Sequence, residues 1–259
     1  MSTKYPIILA HGIALKDYKL FKAFGRIEKV LKESGYLVYT STADGFGSIE
    51  NNAEQLKMQV QTILEIHGVE KVNIIAHSKG GLDTRYMIDH LGMGDKVASV
   101  TFLCTPHKGS QIATKLYALP KWIRNPWAKI LDFWYRLFGD KNPDSLTVCK
   151  QLLASSDDLL GGYSAVDGIF MQSFSTVLEK SRDDFVMGIP LKFSRYYEKG
   201  DSDGMVSVES SKFAEYKGNC TNYSLSHSEI VDFMANKKEK EAVYAFYRQI
   251  CQDLADRGY

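Results

Sequence analysis

The sequence VNIIAHSKGGLDTRYMI, residues 72–88, decides the fold. Its apolar, β-branched beginning predicts a strand, and residues 82–88 are typical of a helix. Between them Ser78 lies on a sharp turn, with the small residues Ala76 and Gly80 two positions to either side. A strained turn of this kind exposes a serine, and the close approach of helix and strand excludes larger side chains. The pattern predicts Ser78 as a nucleophile; an ordinary glycine-rich turn is the alternative.

The composition is that of an ordinary globular protein. The chain has 259 residues, of which 44% are apolar and 24% charged, and one domain spanning residues 1–259 is expected. The formal net charge is +1 and no basic cluster is present, so no nucleic-acid partner is expected. The four cysteines lie far apart and show no metal-ligand spacing.

The N-terminal residues carry no apolar signal segment, and no run is long enough to span a bilayer. A cytoplasmic protein with reduced thiols is therefore expected. A secreted protein is the alternative if an export signal has been removed.

Short apolar runs alternate with amphipathic stretches along the chain. Helices are predicted over residues 21–34, in a stretch ended by Gly68 and in the C-terminal tail, and strands over residues 6–10, 36–40, 71–76, 97–104, 191–197 and 222–225. This alternation indicates an α/β protein whose mostly parallel sheet has helices on both faces. In such sheets the catalytic groups collect at the carboxyl ends of the strands.

The chain also offers an acid and a base in a suitable order. A serine needs a base to take its proton and an acid to orient that base, and in α/β-hydrolases the acid and then the histidine follow the serine. The predicted acid is Asp203 in the loop GDSDGMV, residues 200–206, with Asp201 as the alternative. His227 is the predicted base because no other histidine follows Asp203. His77, next to the serine on a sharp turn, is expected to be structural.

A tetrahedral intermediate needs backbone N–H groups directed at its oxyanion. The residue after the serine, Lys79, supplies one of the predicted donors. The other is Ile13, which follows Gly12 in the loop after the first predicted strand. A simple turn is the alternative for that loop.

Residues from about 110 to 166 break the alternation. They contain all three tryptophans, Trp122, Trp127 and Trp134, and the last two belong to a strongly apolar stripe at helical spacing. The position between the serine and the later strands favours a lid or cap over the site, to which these tryptophans would contribute substrate contacts. A helix packed in the core is the alternative.

Several blocks resemble the bacterial triacylglycerol lipases of the Pseudomonas and Burkholderia type and their esterase relatives. These blocks are YPIILAHG (residues 5–12), residues 72–86, TPHKGS (residues 105–110), DGMVS (residues 203–207) and His227. The resemblance implies an α/β-hydrolase fold with a helical lid and a serine hydrolase that forms an acyl-enzyme. Lys79 departs from the family pattern, which commonly has glutamine there. The family often holds a structural calcium ion, and Glu229 falls at one ligand position. No second ligand is identified, so calcium is the lesser alternative and no cofactor is expected to be required.

The expected activity is hydrolysis of carboxylic esters with apolar acyl chains, with lipids or apolar esters as substrates. The lid is expected to make transient contact with lipid interfaces, and no protein partner is implied. The alternatives are an acyltransferase or a thioesterase with the same three residues. A non-catalytic binding protein on a hydrolase fold is less favoured, because every catalytic position is filled.

Overall fold

The computed structural model describes residues 2–13, 22–153, 168–180, 184, 187, 191–192, 200–233 and 235–259. The strands in this part of the chain are β1 (Ile7–Ala10), β2 (Val38–Thr40), β3 (Val72–His77), β4 (Val97–Leu103), β5 (Phe170–Ser175) and β6 (Glu215–Asn219). They form one sheet in the order β2-β1-β3-β4-β5-β6, and each of these neighbours pairs in parallel. The predicted mostly parallel sheet is confirmed.

The helices cover both faces of this sheet. They are α1 (Ile27–Glu33), α2 (Ile49–His67), α3 (Lys79–His90), α4 (Gln111–Tyr117), α5 (Lys121–Leu137), α6 (Ser145–Gln151), α7 (Val208–Ser211) and α8 (Lys237–Asp256). Alternate residues of β1 face opposite sides: Ile7 and Leu9 pack with α1 and α8, whereas Ile8 and Ala10 pack with α2 and α3. Burial on both sides explains why the central strands are continuous apolar runs.

Of the two strands predicted near the C-terminus, one is wrong and the other lies largely outside the described residues. Residues 222–225 form no strand: they have no regular secondary structure, Tyr223 is exposed, and the Leu225 N–H donates to the Val177 carbonyl outside any strand. Of residues 191–197 the structure describes Leu191 and Lys192, which are helical.

The last two strands on one side of the sheet, β5 and β6, were not predicted from the sequence because neither has an apolar pattern. In β5 the buried Gln172 donates to Thr101 Oγ1 at 3.0 Å, and the buried Ser173 hydroxyl donates to the Phe213 carbonyl at 2.6 Å. Hydrogen bonds to residues far away in the sequence thus satisfy polar groups in a buried strand, which hides the strand from a hydrophobicity pattern. β6 is a charged, partly exposed edge strand.

Helices α4 to α6 and the residues that follow, residues 111–153, form an insertion between β4 and β5 in the sequence, here called the cap. The rest of the predicted insertion, residues 154–166, lies outside the described residues. Ala113 of α4 and Val148 of α6 pack on Ile49 and Leu82 of the core. α5 contributes no buried residue, so the alternative of a core helix is wrong for it.

The C-terminal end of α5 is held to the loop after β2 by two carboxylates. Asp140 accepts hydrogen bonds from the backbone N–H groups of residues 45 and 46, at 2.9 and 2.8 Å. Asp44 accepts in the opposite direction from the N–H groups of residues 141 and 142, both at 2.9 Å. These reciprocal bonds fix where the cap leaves the core.

None of the described helices combines the length and the apolar character that crossing a membrane requires.

Candidate active site

Ser78 lies on the turn between β3 and α3. Its backbone has φ 55° and ψ −133°, a conformation that side-chain-bearing residues rarely adopt. The Ser78 N–H donates to the Leu103 carbonyl at 2.9 Å, which ties the turn to β4. A Cβ atom on Gly80 would lie 2.4 Å from the Ala10 carbonyl oxygen, so glycine is required there. The structure therefore has the strained turn that the sequence predicts.

Ser78, His227 and Asp203 form a continuous hydrogen-bonded row. His227 Nε2 lies 2.8 Å from Ser78 Oγ, and His227 Nδ1 lies 2.7 Å from Asp203 Oδ2. With the Nδ1–H donating to the carboxylate, Nε2 is the acceptor for the serine hydroxyl. This arrangement is suited to general-base activation of the serine.

The loop around Asp203 holds its carboxylate in place. Asp203 Oδ1 accepts from the N–H groups of Met205 and Val206 at 2.9 and 2.8 Å, and Gly204 has a positive φ of 104°. The Asp203 side chain is buried, whereas Asp201 is exposed. Of the two aspartates considered from the sequence, the structure brings Asp203 to His227.

The loop after β1 packs directly against the serine. A Cβ atom on Gly12 would lie 2.6 Å from Ser78 Cβ and 2.9 Å from the Lys79 nitrogen. Ile13, the next residue, lines the same cavity as Ser78. The Lys79 nitrogen, one predicted oxyanion donor, therefore lies against Gly12, and Ile13, the other, lines the cavity beside Ser78.

The side chain of Lys79 is engaged in a buried ion pair. Its Nζ lies 2.7 and 3.0 Å from the two carboxylate oxygens of Asp83, one helical turn further along α3. Asn52 Nδ2 also donates to Asp83 Oδ2, at 3.2 Å. Burial raises the pKa of Asp83 to about 6, although the Lys79 charge opposes the shift. The i,i+4 spacing of Lys79 and Asp83 was readable in the sequence, but the prediction used only the Lys79 backbone.

His77 packs on the histidine of the row. Its ring centroid lies 4.6 Å from that of His227, and the side chain is buried. Burial, and then the nearby His227 charge, hold the pKa of His77 well below its usual value. A neutral His77 therefore supports the His227 ring from the side without competing for the serine proton.

An apolar cavity of about 890 Å³ opens from Ser78 and His227 into the cap. Trp127 and Trp134 line it, but Trp122 does not. Such a volume falls in the upper part of the range of about 300 to 1,000 Å³ that is usual for ligand sites. Most of its other wall residues are apolar: Ile13, Phe46, Pro106, Ile112, Ala113, Leu116, Leu119, Ile123, Ala128, Ile130, Leu131, Leu146, Val148, Leu152, Met187, Met205 and Val206.

Glu229 does not fit a metal site in the described part of the chain. Its carboxylate accepts from the Ser226 N–H at 2.7 Å, and burial raises its pKa to about 7. The group of possible metal ligands found among the described residues is Cys104, Asp203 and His227, which does not include Glu229. Since Asp203 and His227 are hydrogen-bonded to each other, no calcium is assigned.

Comparison with known proteins places this site in a family. Residues 6–145 match the family model described as palmitoyl protein thioesterase. Triacylglycerol lipase 2 of Saccharomyces cerevisiae is 27% identical over 266 residues, which cover 90% of this chain and 73% of that protein. A triacylglycerol lipase of Vibrio cholerae is 39% identical over 117 residues, and one of Burkholderia plantarii is 38% identical over the same length. Each of these bacterial alignments covers 43% of this chain, and they cover 35% and 32% of the relatives, respectively.

Solved structures share the fold. Lipase 1 from Pelosinus fermentans has a TM-score of 0.67 at 17% identity, covering 96% of this chain and 99% of that one. The mature lipase BlEst2 of Bacillus licheniformis has a TM-score of 0.65 at 20% identity, covering 88% and 87%. The predicted α/β-hydrolase fold is confirmed.

The reaction class is also confirmed: the chain is a carboxylic ester hydrolase of the lipase and esterase group. The narrower resemblance to Pseudomonas and Burkholderia enzymes is supported only at the level of that group. Because the matched residues 6–145 make up more than half of its 259 residues, the chain belongs to the palmitoyl protein thioesterase family.

Proposed function

We propose that this chain hydrolyses esters of long apolar acyl chains through an acyl-enzyme formed on Ser78. The observation that carries the proposal is the hydrogen-bonded row of Ser78, His227 and Asp203 at the inner end of an apolar cavity of about 890 Å³. The row provides the chemistry and the cavity provides space for an acyl chain.

In the proposed reaction Ser78 Oγ attacks the ester carbonyl carbon while His227 Nε2 takes the hydroxyl proton. The N–H groups of Ile13 and Lys79 stabilise the negative oxygen of the tetrahedral intermediate. His227 then gives the proton to the leaving alcohol, and the acyl group remains on Ser78. Water, deprotonated by His227, releases the fatty acid by the same steps. Asp203 holds the His227 tautomer and stabilises its transient positive charge.

The cavity favours apolar acyl groups over small polar ones. Burying each methylene contributes about 0.8 kcal/mol, or roughly a fourfold gain in binding. The ratio kcat/KM is therefore expected to rise with acyl length until the cavity is filled.

A thioesterase is the second candidate, and the family match over residues 6–145 favours it specifically. The same row of side chains serves an oxygen ester or a thioester, because the attacked carbonyl is common to both. An acyltransferase would use the same acyl-enzyme, with an alcohol in place of water.

The test combines labelling with turnover. A fluorophosphonate probe is expected to label the native chain and not the Ser78→Ala variant, whose turnover of p-nitrophenyl esters falls at least about 10⁴-fold. Ser110→Ala is the control, since Ser110 lines the same cavity but its hydroxyl donates to the Met205 carbonyl, and this variant is expected to keep the label. Unchanged turnover in Ser78→Ala would sink the proposal.

A matched series then separates the substrate classes. Oxygen esters and thioesters with identical acyl chains are compared at each chain length, with and without an alcohol acceptor. A higher kcat/KM for the thioester selects the thioesterase, and a transferred acyl product selects the acyltransferase.

A further inference from the structure

The cap helix α5 divides its apolar residues between two surfaces. At 100° per residue, Ile123, Trp127 and Trp134 fall on the side that lines the cavity. A second group, here called the outer strip, consists of Trp122, Pro126, Phe133 and Leu137 and does not line it.

The outer strip is unusually exposed. Trp122, Phe133 and Leu137 are 78%, 65% and 60% exposed. Four turns of helix separate its ends, a length of roughly 22 Å. A continuous exposed apolar strip with two large aromatic residues indicates an interaction surface.

Basic residues border this strip. Lys121, Lys129 and Arg136 are exposed. Around the helix they lie next to Trp122 and Phe133, on the side of the strip away from the cavity. Asp132, the acidic residue of α5, lies between Lys121 and Arg136 around the helix but is less exposed than they are, and its carboxylate accepts from the Ser145 N–H of α6 at 2.8 Å. The fully exposed charged side chains of this border are therefore cationic, while its one carboxylate is engaged by α6.

From this charge pattern we infer that the outer strip docks onto a bilayer surface rich in anionic lipids. A basic amphipathic helix with tryptophan and phenylalanine on its apolar side lies in the plane of such a surface. A second copy of the chain would present the same cations and be repelled, and a neutral lipid droplet would make no use of them.

The docking also has a consequence for the cavity, which rests on the proposed function. Trp127 and Ile130 line the cavity and are themselves more than a third exposed, so the cavity reaches the surface beside the outer strip. A helix lying on the bilayer would hold this opening next to the acyl chains of the membrane.

Vesicle sedimentation tests the inference on the full chain carrying Ser78→Ala, which keeps the lipid intact. Binding is expected to vesicles of phosphatidylcholine with phosphatidylserine, to weaken with salt, and to be much lower on phosphatidylcholine alone. Adding K121Q, K129Q and R136Q should lower the partition coefficient about 100-fold, at about fivefold for each basic residue. The matched control is K29Q with K237Q and K238Q, three exposed lysines on α1 and α8, which should lower it less than about fivefold.

Three results would overturn the inference: equal binding to neutral vesicles, binding that survives the loss of the three cap cations, or no binding to anionic vesicles. Sedimentation of the lipid-free chain as a dimer that W122Q and F133Q dissociate would assign the strip to self-association instead. Circular dichroism melts of each variant exclude loss of folding. Turnover of a soluble ester by the Ser78-containing chain is measured separately, so failure of docking is distinguished from failure of the proposed hydrolysis.

Discussion

The catalytic edge of the sheet, meaning the loops at the carboxyl ends of its strands that carry Ser78, Asp203 and His227, contrasts with the cap. The two regions place their side chains in opposite environments. At the edge, Ser78, Asp203 and His227 are at most 9% exposed, and each is hydrogen-bonded to the next. In α5 of the cap no residue is buried, although most of its residues are apolar or aromatic. Protein contacts therefore hold the row in place, whereas the apolar side chains of α5 are left facing solvent. If the proposed function holds, the core fixes the chemistry and the cap sets the preference for substrate and surface.

The largest expected effect on kcat comes from replacing Asp203, the acid of the hydrogen-bonded row. Asp203→Asn replaces a carboxylate that accepts from His227 Nδ1 with an amide that favours the wrong tautomer. We expect kcat to fall about 10⁴-fold with little change in KM, measured on a soluble p-nitrophenyl ester. Asp201→Asn, in the same loop but exposed, is the control and should leave kcat unchanged. Equal losses in both variants would mean that the loop, and not the carboxylate, matters.

The next effect concerns the oxyanion loop. Gly12→Ala introduces a Cβ atom 2.6 Å from Ser78 Cβ, which forces the loop away from the serine. We expect kcat to fall about 10²- to 10³-fold, the size associated with losing one oxyanion donor. Gly35→Ala serves for comparison, because its Cβ meets nothing within 4 Å although its φ is +89°. It should cost about 1–2 kcal/mol of stability and leave kcat intact.

A smaller effect, on stability, separates buried from exposed charges. Lys79→Gln leaves the Asp83 carboxylate buried without its counter-charge, which should cost about 3 kcal/mol near pH 8 in urea unfolding. The pKa of Asp83 is about 6, above its ordinary 3.8, so the folded chain holds this proton more tightly and loses stability as the pH rises through that window. Near pH 5 Asp83 is already protonated in both variants, and the difference should shrink to about 1 kcal/mol or less. Lys29→Gln, from the exposed pair with Glu33, should change stability by less than about 0.5 kcal/mol at either pH. A pH-independent loss in Lys79→Gln would argue against the ion pair.

The smallest effect falls in the cap. Trp127→Ala removes a cavity wall, so kcat/KM for a long-chain soluble ester should fall about tenfold relative to a short-chain ester. Trp122→Ala is the matched control on the same helix, since Trp122, like Trp127, is largely exposed to solvent but does not line the cavity. Its chain-length ratio should change less than about twofold. The division of α5 into two surfaces would be contradicted if the two variants behaved alike.

The catalytic edge was largely predictable because its signals are local. A small-residue turn around Ser78, an aspartate beside Gly204 and a single later histidine suffice to name the three residues that the structure joins. The ion pair of Lys79 with Asp83 was equally local, since the residues are four apart on one helix. The geometry that brings Gly12 onto Ser78 depends on the neighbouring strands β1 and β3 and is not local.

The edge strands and the environment of the cap were less predictable. β5 carries Gln172 and Ser173, whose hydrogen-bond partners lie far away in sequence, so its burial leaves no apolar pattern. The apolar spacing of α5 predicts an amphipathic helix, but spacing does not record whether a neighbour covers the apolar side.

The reciprocal bonds of Asp44 and Asp140 bear on how such a protein diversifies. Each carboxylate holds the backbone of the other's loop, so the bonds that fix the C-terminal end of α5 use no side chain of the helix itself. Exposed residues within 121–137 can therefore change without loss of this anchor or of the turn that carries Ser78. If the proposed function holds, substrate and surface preference can evolve in α5 while the reacting groups stay the same.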